Sequence, residues 1–383
     1  MSAPLSEFRV DIADADVDDL RRRLAATRWP DAETSGDWNQ GIPLAYMRQL
    51  CAYWARDYDM QRLAQRLNRW PQFRTEIDGL NIHFLHARSP HPDALPLVMT
   101  HGWPGSVVEF LKVMGPLSDP TRHGGEARDA FHVVCPALPG YGYSDKPRQS
   151  GWKVERIARA WGELMRRLGY DRYVAQGGDW GAYVTTCIAQ SETVHCLGIH
   201  LNMAIAGADK TTLNDLSPRE QAALAGLQYY RDNDSGYAKQ QSTRPQTLGY
   251  GLADSPAGQA AWILEKFWAW TDCGEGDERH PEKVLSRDEL LDNVMLYWLT
   301  DSAASSARLY WESFRSVNRE PVRLPVGCSI FPKEIFRPSR RWAEKRYQNI
   351  VYWNELERGG HFAAFEQAGV FVDEVRNCFR LLR

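Results

Sequence analysis

A glycine-framed turn between an apolar run and a helical segment constrains the fold most strongly. Residues 173–176 are Tyr-Val-Ala-Gln, residues 177–181 are Gly-Gly-Asp-Trp-Gly, and a helix-compatible segment covers 182–190. This order matches the strand, sharp turn and helix of a nucleophile elbow, G-x-S-x-G, with Asp179 in place of the serine. The turn residue is strained, and its neighbours must lack a Cβ so that strand and helix can approach closely. The five residues alone fit an ordinary glycine-rich turn equally well, so the rest of the chain must decide.

Size and charge exclude several classes of protein. A chain of 383 residues can bury a large core and divide into more than one domain-sized piece. The formal net charge is only -3, so no overall field favours nucleic acid or an acidic membrane surface. The chain has 15 Trp, 16 Tyr and 13 Phe, and so many large rings also suit an apolar ligand pocket.

Cysteine usage and the N-terminus predict a cytoplasmic protein. The seven cysteines are odd in number and form no C-x-x-C pair, which indicates neither a disulfide framework nor a zinc site. They fit a reducing compartment as buried small side chains. The first residues show no signal peptide, and no run approaches the roughly 18 apolar residues of a membrane span. We therefore expect a soluble chain without a membrane anchor.

Residues 1–72 predict a helical N-terminal arm. Residues 16–24 place acidic side chains in a first helical turn and basic ones later, which matches the helix dipole. Residues 43–67 carry apolar side chains at helical spacing. No chemistry is visible in this stretch, so we expect it to pack on a catalytic core.

From residue 73 the pattern predicts a sheet. Two runs, 73–77 and 82–86, flank Asp78-Gly79, which is a strong hairpin signal. Later apolar runs alternate with helical segments and predict a mostly parallel sheet covered by helices on both faces. Ligands bind beyond the carboxyl ends of such strands. The later predicted strands are 95–100, 131–135, 173–176, 196–201, 326–331 and 349–353.

Strand signals disappear over residues 204–315. This stretch is helical and rich in aromatic residues, and it is too long for a loop. We expect an inserted helical cap over the sheet. The predicted organisation is therefore an arm at 1–72, a first part of the core at 73–203, the cap at 204–315, and a second part of the core at 316–383.

Asp179 and His361 are the candidates for covalent chemistry. A carboxylate is already ionised at neutral pH, so it needs no base before it attacks a carbon to form an ester. Breaking that ester requires an activated water, and the base is expected late in the chain. His361 stands in Gly359-Gly360-His361-Phe362 directly after the last predicted strand. The alternative is a loop histidine with a purely structural partner.

An acid must hold the base in the correct tautomer. Glu334 follows the preceding strand and is the natural choice, although alone it would pass for a surface glutamate. The nearest competitors, Glu355 and Glu357, lie on the wrong loop for the usual order.

Water attack on an ester creates an oxyanion that needs N–H donors. The N–H of Trp180 follows the nucleophile, and the N–H of Trp103 lies in His101-Gly102-Trp103-Pro104 after an earlier strand. Both tryptophans are also expected to contact the substrate. His101 is expected to order its loop, and His123 follows no strand and is set aside.

Three of these motifs together resemble the epoxide hydrolases of the microsomal type. They are His-Gly-Trp-Pro at 101–104, Gly-Gly-Asp-Trp-Gly at 177–181 and Gly-Gly-His-Phe-Ala-Ala at 359–364. Residues 8–30 resemble the N-terminal domain of that family, and the resemblance covers nearly the whole chain. It implies an α/β-hydrolase fold with a helical cap and a helical arm. Mammalian microsomal members carry a membrane anchor, which this sequence does not show.

The resemblance also implies a reaction. In the family, two cap tyrosines hydrogen-bond the epoxide oxygen, and they correspond to Tyr237 and Tyr310 here. The residues alone do not distinguish these two from other cap aromatics, although a phenol can donate a proton to a developing alkoxide. Asp179 would open an apolar epoxide, and His361, oriented by Glu334, would activate water to release a vicinal diol. No metal or cofactor is required.

Other hypotheses stay open at this point. A haloalkane dehalogenase also forms an ester on an elbow aspartate, but it needs halide-binding N–H donors, which Trp103 or Trp180 could supply. A serine esterase is disfavoured by Asp179. A non-catalytic scaffold that binds an apolar ligand is a further alternative. The tryptophan-rich cap favours a bulky or aromatic epoxide, in detoxification or natural-product biosynthesis, and the oligomeric state, a homodimer included, is open.

Overall fold

A single mixed sheet organises the protein. The computed structural model describes residues 4–314, 318 and 320–383. Nine strands form the sheet in the order β1-β2-β3-β5-β4-β6-β7-β8-β9. The strands are β1 Ser6–Phe8, β2 Gln72–Ile77, β3 Leu80–Ala87, β4 Leu95–Thr100, β5 Phe131–Pro136, β6 Tyr173–Gly177, β7 Cys196–Leu201, β8 Val326–Ile330 and β9 Ile350–Glu355.

The sheet is antiparallel at one edge and parallel from β5 onward. β1 pairs with β2, β2 with β3 and β3 with β5, all antiparallel. The remaining pairs, from β5 through β4, β6, β7 and β8 to β9, are parallel. The predicted hairpin is confirmed, with Asp78 and Gly79 both at positive φ (52° and 82°) as its two-residue turn requires. The predicted, mostly parallel sheet is confirmed as well.

Fifteen α-helices accompany the sheet within the described residues. They are α1 Asp14–Ala25, α2 Leu44–Arg56, α3 Arg62–Leu67, α4 Met114–Ser118, α5 Val154–Arg167, α6 Asp179–Ser191, α7 Pro218–Tyr229, α8 Gly236–Thr243, α9 Pro245–Asp254, α10 Pro256–Trp270, α11 Arg287–Leu299, α12 Ala303–Ser313, α13 Arg340–Ala343, α14 Ala363–Glu366 and α15 Ala368–Phe379. Central strands are apolar on both faces, as in a covered parallel sheet. Leu97, Val98 and Met99 of β4, for example, are fully buried.

The N-terminal arm differs from its prediction in two places. The stretch expected to be helical contains β1, which extends the sheet edge beside β2 and packs Phe8 against His83 with ring centroids 5.0 Å apart. The helical pattern over 43–67 is divided between α2 and α3. In the turn between the two helices, the Asp59 carboxylate accepts the Gln61 N–H at 2.9 Å.

Six helices, α7 to α12, follow β7, and no strand lies between them in the described residues. We call residues 204–314 the cap. The predicted end of the cap at residue 315 lies outside the described residues, as do residues 1–3 at the start of the arm. The four domain boundaries remain predictions. All seven cysteines are free and buried, as expected. Across the described ranges, no helix has the length and apolar character needed to cross a membrane.

A series of tyrosine–carboxylate bonds joins the arm to the cap near α11. Tyr46 and Tyr53 on α2 donate to Glu282 and Asp288, at 2.9 and 2.7 Å. The third carboxylate, Asp292, is fully buried. Its partners are Tyr58 at 2.7 Å, Arg62 at 3.1 Å and Arg66 at 2.5 Å. The arm is therefore bonded to the cap as well as to the sheet edge.

We expect Asp292→Ala to destabilise the protein by about 3 kcal/mol, because it leaves two partly buried guanidinium groups and a buried hydroxyl without their acceptor. The matched control is Asp254→Ala, which removes another ion pair between arm and cap. Its partner is Arg23, and the Asp254 side chain is 84% exposed. That change should cost less than about 1 kcal/mol. The free energy of unfolding in urea measures the effect of each substitution. Equal losses of stability in the two variants would contradict the importance given to the buried Asp292.

Candidate active site

Asp179 occupies the turn between β6 and α6 in a strained conformation. Its φ is 50°, in the left-handed region that non-glycine residues rarely adopt. A Cβ on Gly177 would overlap the carbonyl oxygen of Gly181, and a Cβ on Gly181 would overlap that of Thr100. The close approach of strand, turn and helix that was predicted for residues 177–181 is therefore present.

The loop after β4 supplies an N–H donor to the Asp179 carboxylate. The Trp103 N–H donates to Oδ1 of Asp179 at 2.8 Å. This approach requires Gly102, since a Cβ there would overlap the carboxylate itself. The second predicted donor, the Trp180 N–H, belongs to the first turn of α6, where N–H groups have no partner within the helix. Both predicted donors thus adjoin Asp179.

His101 orders this loop. Its ring is fully buried, and Nε2 accepts the Leu138 N–H at 3.2 Å while Nδ1 donates to the Gly102 carbonyl oxygen at 3.0 Å. Burial lowers the pKa of His101 to about 4. The ring is neutral at physiological pH, and both of its nitrogens form hydrogen bonds. The geometry therefore supports the predicted role of His101 in ordering the loop.

Two side chains of α11 hold the same loop from the cap side. Asn293 Nδ2 donates to the Pro104 carbonyl oxygen at 2.8 Å, and Asn293 Oδ1 accepts from Ser106 Oγ at 2.7 Å. The Tyr297 hydroxyl donates to the Gly105 carbonyl oxygen at 2.7 Å. Sequence reasoning missed both residues. A buried asparagine inside an apolar helical segment was the available signal, because such a group needs a partner.

The predicted base and acid meet Asp179 from two further loops. His361 lies between β9 and α14, and its Nε2 is 3.3 Å from Asp179 Oδ2. Its Nδ1–H donates to Glu334 Oε1 at 2.7 Å. That oxygen also accepts the Ile335 N–H at 2.6 Å, which fixes the carboxylate. Glu355 instead pairs with Arg219.

Charge and burial set the protonation of His361. Its side chain is 2% exposed, that of Glu334 is 0% exposed, and that of Asp179 is 15% exposed. Burial opposes the charged imidazolium, but the Glu334 and Asp179 carboxylates outweigh it and raise the pKa of His361 well above 6.5. The imidazole is therefore protonated at neutral pH.

Cap aromatics pack against the two tryptophans that adjoin Asp179. The Tyr237 ring on α8 stacks on Trp103 with centroids 4.9 Å apart, and the Tyr310 ring on α12 meets Trp180 edge-on at 4.8 Å. The two tyrosine rings are 5.7 Å apart. Burial raises the pKa of each phenol well above 10, so both remain protonated. The structure thus brings all seven predicted site residues into one cluster.

A third cap hydroxyl was not foreseen. Tyr230 Oη lies 3.0 Å from Tyr237 Oη in a hydrogen bond. Burial also raises the pKa of Tyr230. Nothing in the sequence distinguished Tyr230 from the other cap tyrosines.

For the parts of the chain that the structure describes, no group of three or more His, Cys, Asp or Glu side chains could hold a metal ion.

Two family descriptions match the chain. The family described as "Epoxide hydrolase N terminus" matches residues 5–110. The family described as "alpha/beta hydrolase fold" matches residues 96–247. The first match covers the arm and continues into the loop that carries Trp103, and the second covers the elbow.

Individual proteins resemble the chain along nearly its whole length. A "Putative epoxide hydrolase" of Stigmatella aurantiaca is 57% identical over 380 residues, which cover 99% of this chain and 86% of that protein. "Epoxide hydrolase 1" of Sus scrofa is 35% identical over 401 residues, with 98% of this chain and 88% of that protein covered.

Solved structures agree. The crystal structure of juvenile hormone epoxide hydrolase from the silkworm Bombyx mori superposes with a TM-score of 0.91 at 30% identity, covering 100% of this chain and 95% of that one. The Aspergillus niger epoxide hydrolase gives a TM-score of 0.90 at 30% identity, with 100% and 97% covered. The α/β-hydrolase fold expected from the sequence is thereby confirmed.

We expect Asp179→Asn to lower the pKa of His361, because it removes one of the two carboxylates that stabilise the imidazolium. Glu334→Gln should lower it as well. Titration of the nitrogen-15 NMR signals of the His361 ring measures both changes against the unaltered chain. An unchanged His361 titration in both variants would contradict the electrostatic account.

Proposed function

Because the chain belongs to the epoxide hydrolases that join an epoxide hydrolase N-terminal domain to an α/β-hydrolase fold, we propose that it hydrolyses an apolar epoxide to a vicinal diol through an ester of Asp179. The observation that carries the proposal is the position of the Asp179 carboxylate. On one side it adjoins the His361–Glu334 pair, and on the other it lies below the two cap phenols Tyr237 and Tyr310.

The first step opens the epoxide ring. Oδ1 of Asp179 is held by the Trp103 N–H and becomes the ester carbonyl oxygen, so Oδ2 is the oxygen that attacks an epoxide carbon. The carbon–oxygen bond of the ring breaks, and the ring oxygen takes a proton from the Tyr237 and Tyr310 pair. Phenols buried in an apolar site suit this task, since they keep their protons until an alkoxide develops beside them.

The second step depends on the charge lost in the first. Ester formation removes the negative charge of Asp179, which is one of the causes that raise the pKa of His361, and leaves Glu334 as the other. The proton that His361 then releases replaces the one donated by the tyrosine pair. The base becomes neutral only once the ester needs it.

Neutral His361 removes a proton from water, and the water oxygen attacks Cγ of Asp179. The oxyanion on Oδ1 is stabilised by the N–H groups of Trp103 and Trp180. Collapse of this intermediate breaks the ester bond, and the departing alkoxide takes the remaining proton of the attacking water from the new hydroxyl on Cγ, which gives the second hydroxyl of the diol. Asp179 is again a carboxylate and His361 an imidazolium, so no proton is gained or lost over the cycle.

The substrate class follows from the surroundings of Asp179. The rings of Trp103, Trp180, Tyr237 and Tyr310 form an aromatic environment that favours an apolar epoxide.

A cytoplasmic location is supported by seven free cysteines, which fit a reducing compartment. The proposed chemistry needs neither metal nor cofactor.

A single turnover in oxygen-18 water should label the Asp179 carboxylate, because water attacks Cγ of the ester. Styrene oxide is the probe, and mass spectrometry of the peptide that contains Asp179 measures the label. Label found only in the diol of the wild-type turnover would exclude the covalent route.

Asp179→Asn should reduce the rate of epoxide hydrolysis by roughly 10⁴-fold or more. The variant is assayed promptly in case its amide hydrolyses.

The double variant Tyr237→Phe with Tyr310→Phe should lower the rate of ring opening by about 10²-fold or more, because both proton donors are lost while the aromatic packing remains. Each single variant should retain more activity than the double one. Tyr250→Phe, at an exposed cap tyrosine, is the matched control and should leave the rate unchanged. Full activity of the double variant towards styrene oxide would instead favour dehalogenase-like chemistry, which haloalkane turnover would test.

A further inference from the structure

A small cavity lies beside the nucleophile on the side of His361. It leaves about 20 Å³ for the centre of a water molecule, above the roughly 10–15 Å³ that one water requires. It is too small for an epoxide. The polar residues and glycines that line it are Gly102, Gly105, Glu109, Gly178, Asp179, Asn202 and His361. Two of these, Asp179 and His361, take part in the proposed chemistry.

Glu109 is the third acid or base that lines this cavity, and the proposed mechanism does not use it. It lies in a short helical turn, Val107–Phe110, directly after the loop that carries Trp103. Its carboxyl group lies against Gly105, where a Cβ would overlap Oε2. Throughout the described ranges, no hydrogen bond or ion pair engages this carboxyl group. A half-buried carboxyl group without a protein partner has its hydrogen-bonding capacity available for a molecule in the cavity.

The surroundings of Glu109 favour its neutral form. Burial is the main cause that raises its pKa, to about 8, while His361 lowers the value and Asp179 raises it. Two further titratable groups, Tyr297 and Cys135, interact with it and are neutral at physiological pH. At pH 7 Glu109 therefore presents one carbonyl oxygen as acceptor and one hydroxyl as donor.

We propose that this cavity holds the water that hydrolyses the Asp179 ester and that Glu109 orients it. The inference rests on the proposed function. One O–H of the water donates to His361 Nε2, the other donates to the Glu109 carbonyl oxygen, and a lone pair points at Cγ of Asp179. When the water oxygen bonds to Cγ, its first proton passes to His361, and Glu109 keeps its own proton throughout.

The neutral state of Glu109 matters for the base. Once the ester has removed the charge of Asp179, an ionised Glu109 would be a second carboxylate close to His361, beside Glu334, and would stabilise the imidazolium. It would thereby oppose the neutral form that must accept a proton from water. Ester hydrolysis should consequently slow as rising pH ionises Glu109.

The test separates the two steps of the reaction with styrene oxide. Ester formation is followed by tryptophan fluorescence and ester breakdown by acid quench and mass spectrometry of the Asp179 peptide. Glu109→Ala should slow breakdown by about 10- to 100-fold, as for a misplaced reactant, and leave formation within about threefold. The ester then accumulates, and kcat falls while kcat/KM holds. Glu109→Gln keeps a neutral acceptor and should restore most of the breakdown rate.

The pH profile gives an independent result. In the wild-type chain the rate of breakdown should fall as rising pH ionises Glu109, and in Glu109→Gln this fall should disappear. Glu126→Gln, at an exposed glutamate, is the control and should retain the wild-type profile.

Two outcomes would overturn the inference. An unchanged breakdown rate in Glu109→Ala would show that Glu109 does not hold the water. A parallel loss of ester formation, ester breakdown and thermal stability in Glu109→Ala, not rescued in Glu109→Gln, would indicate that Glu109 has only a structural role. A wild-type chain that forms no ester on Asp179 would instead refute the proposed function, and this inference with it.

Discussion

The hydrogen bond from the Trp103 N–H to Asp179 is the contact on which the site depends. It forms because β4 and β6 are neighbouring parallel strands, so their carboxyl ends meet at one edge of the sheet. Gly102 and Gly181 remove the side chains that would keep the two loops apart. The bond distinguishes the two oxygens of a symmetric carboxylate, since one is held and the other is left to react. The strained φ of Asp179 is retained because the loops on both sides fix the turn.

Electrostatics then order the chemistry in time. Asp179 and Glu334 both act on His361, and only one of these charges disappears during the reaction. In the proposed reaction, the resting site pairs the nucleophile Asp179 with a protonated His361, which suits ring opening but not hydrolysis. In that reaction, ester formation reverses this condition by removing the charge of Asp179. A separate cavity for water beside His361 suits the same division, because the substrate and the water approach Asp179 from different sides.

Local signals in the sequence predicted the features that are themselves local. The elbow glycines, the Asp78-Gly79 hairpin and the loops bearing Trp103, Glu334 and His361 each follow from neighbouring residues. β1 was missed because three residues are too few to show an alternating pattern, and its partner β2 lies more than sixty residues later. Partners across the fold were equally invisible. Asn293, Tyr297 and Glu109 acquire their positions only when the cap and the sheet pack together, and Tyr237 and Tyr310 were identified by family resemblance alone.

Helix α11 gives the cap an unexpected status. It bonds the arm through Asp292, and through Asn293 and Tyr297 it bonds the loop that carries Trp103. A cap attached in this way is not an interchangeable module. Exchanging caps between relatives to alter substrate preference would require α2, α3 and the loop at 101–106 to be transferred together with it. Variation in evolution or in the laboratory is then easier on α7, which buries only Glu220, than on the helix beside the arm.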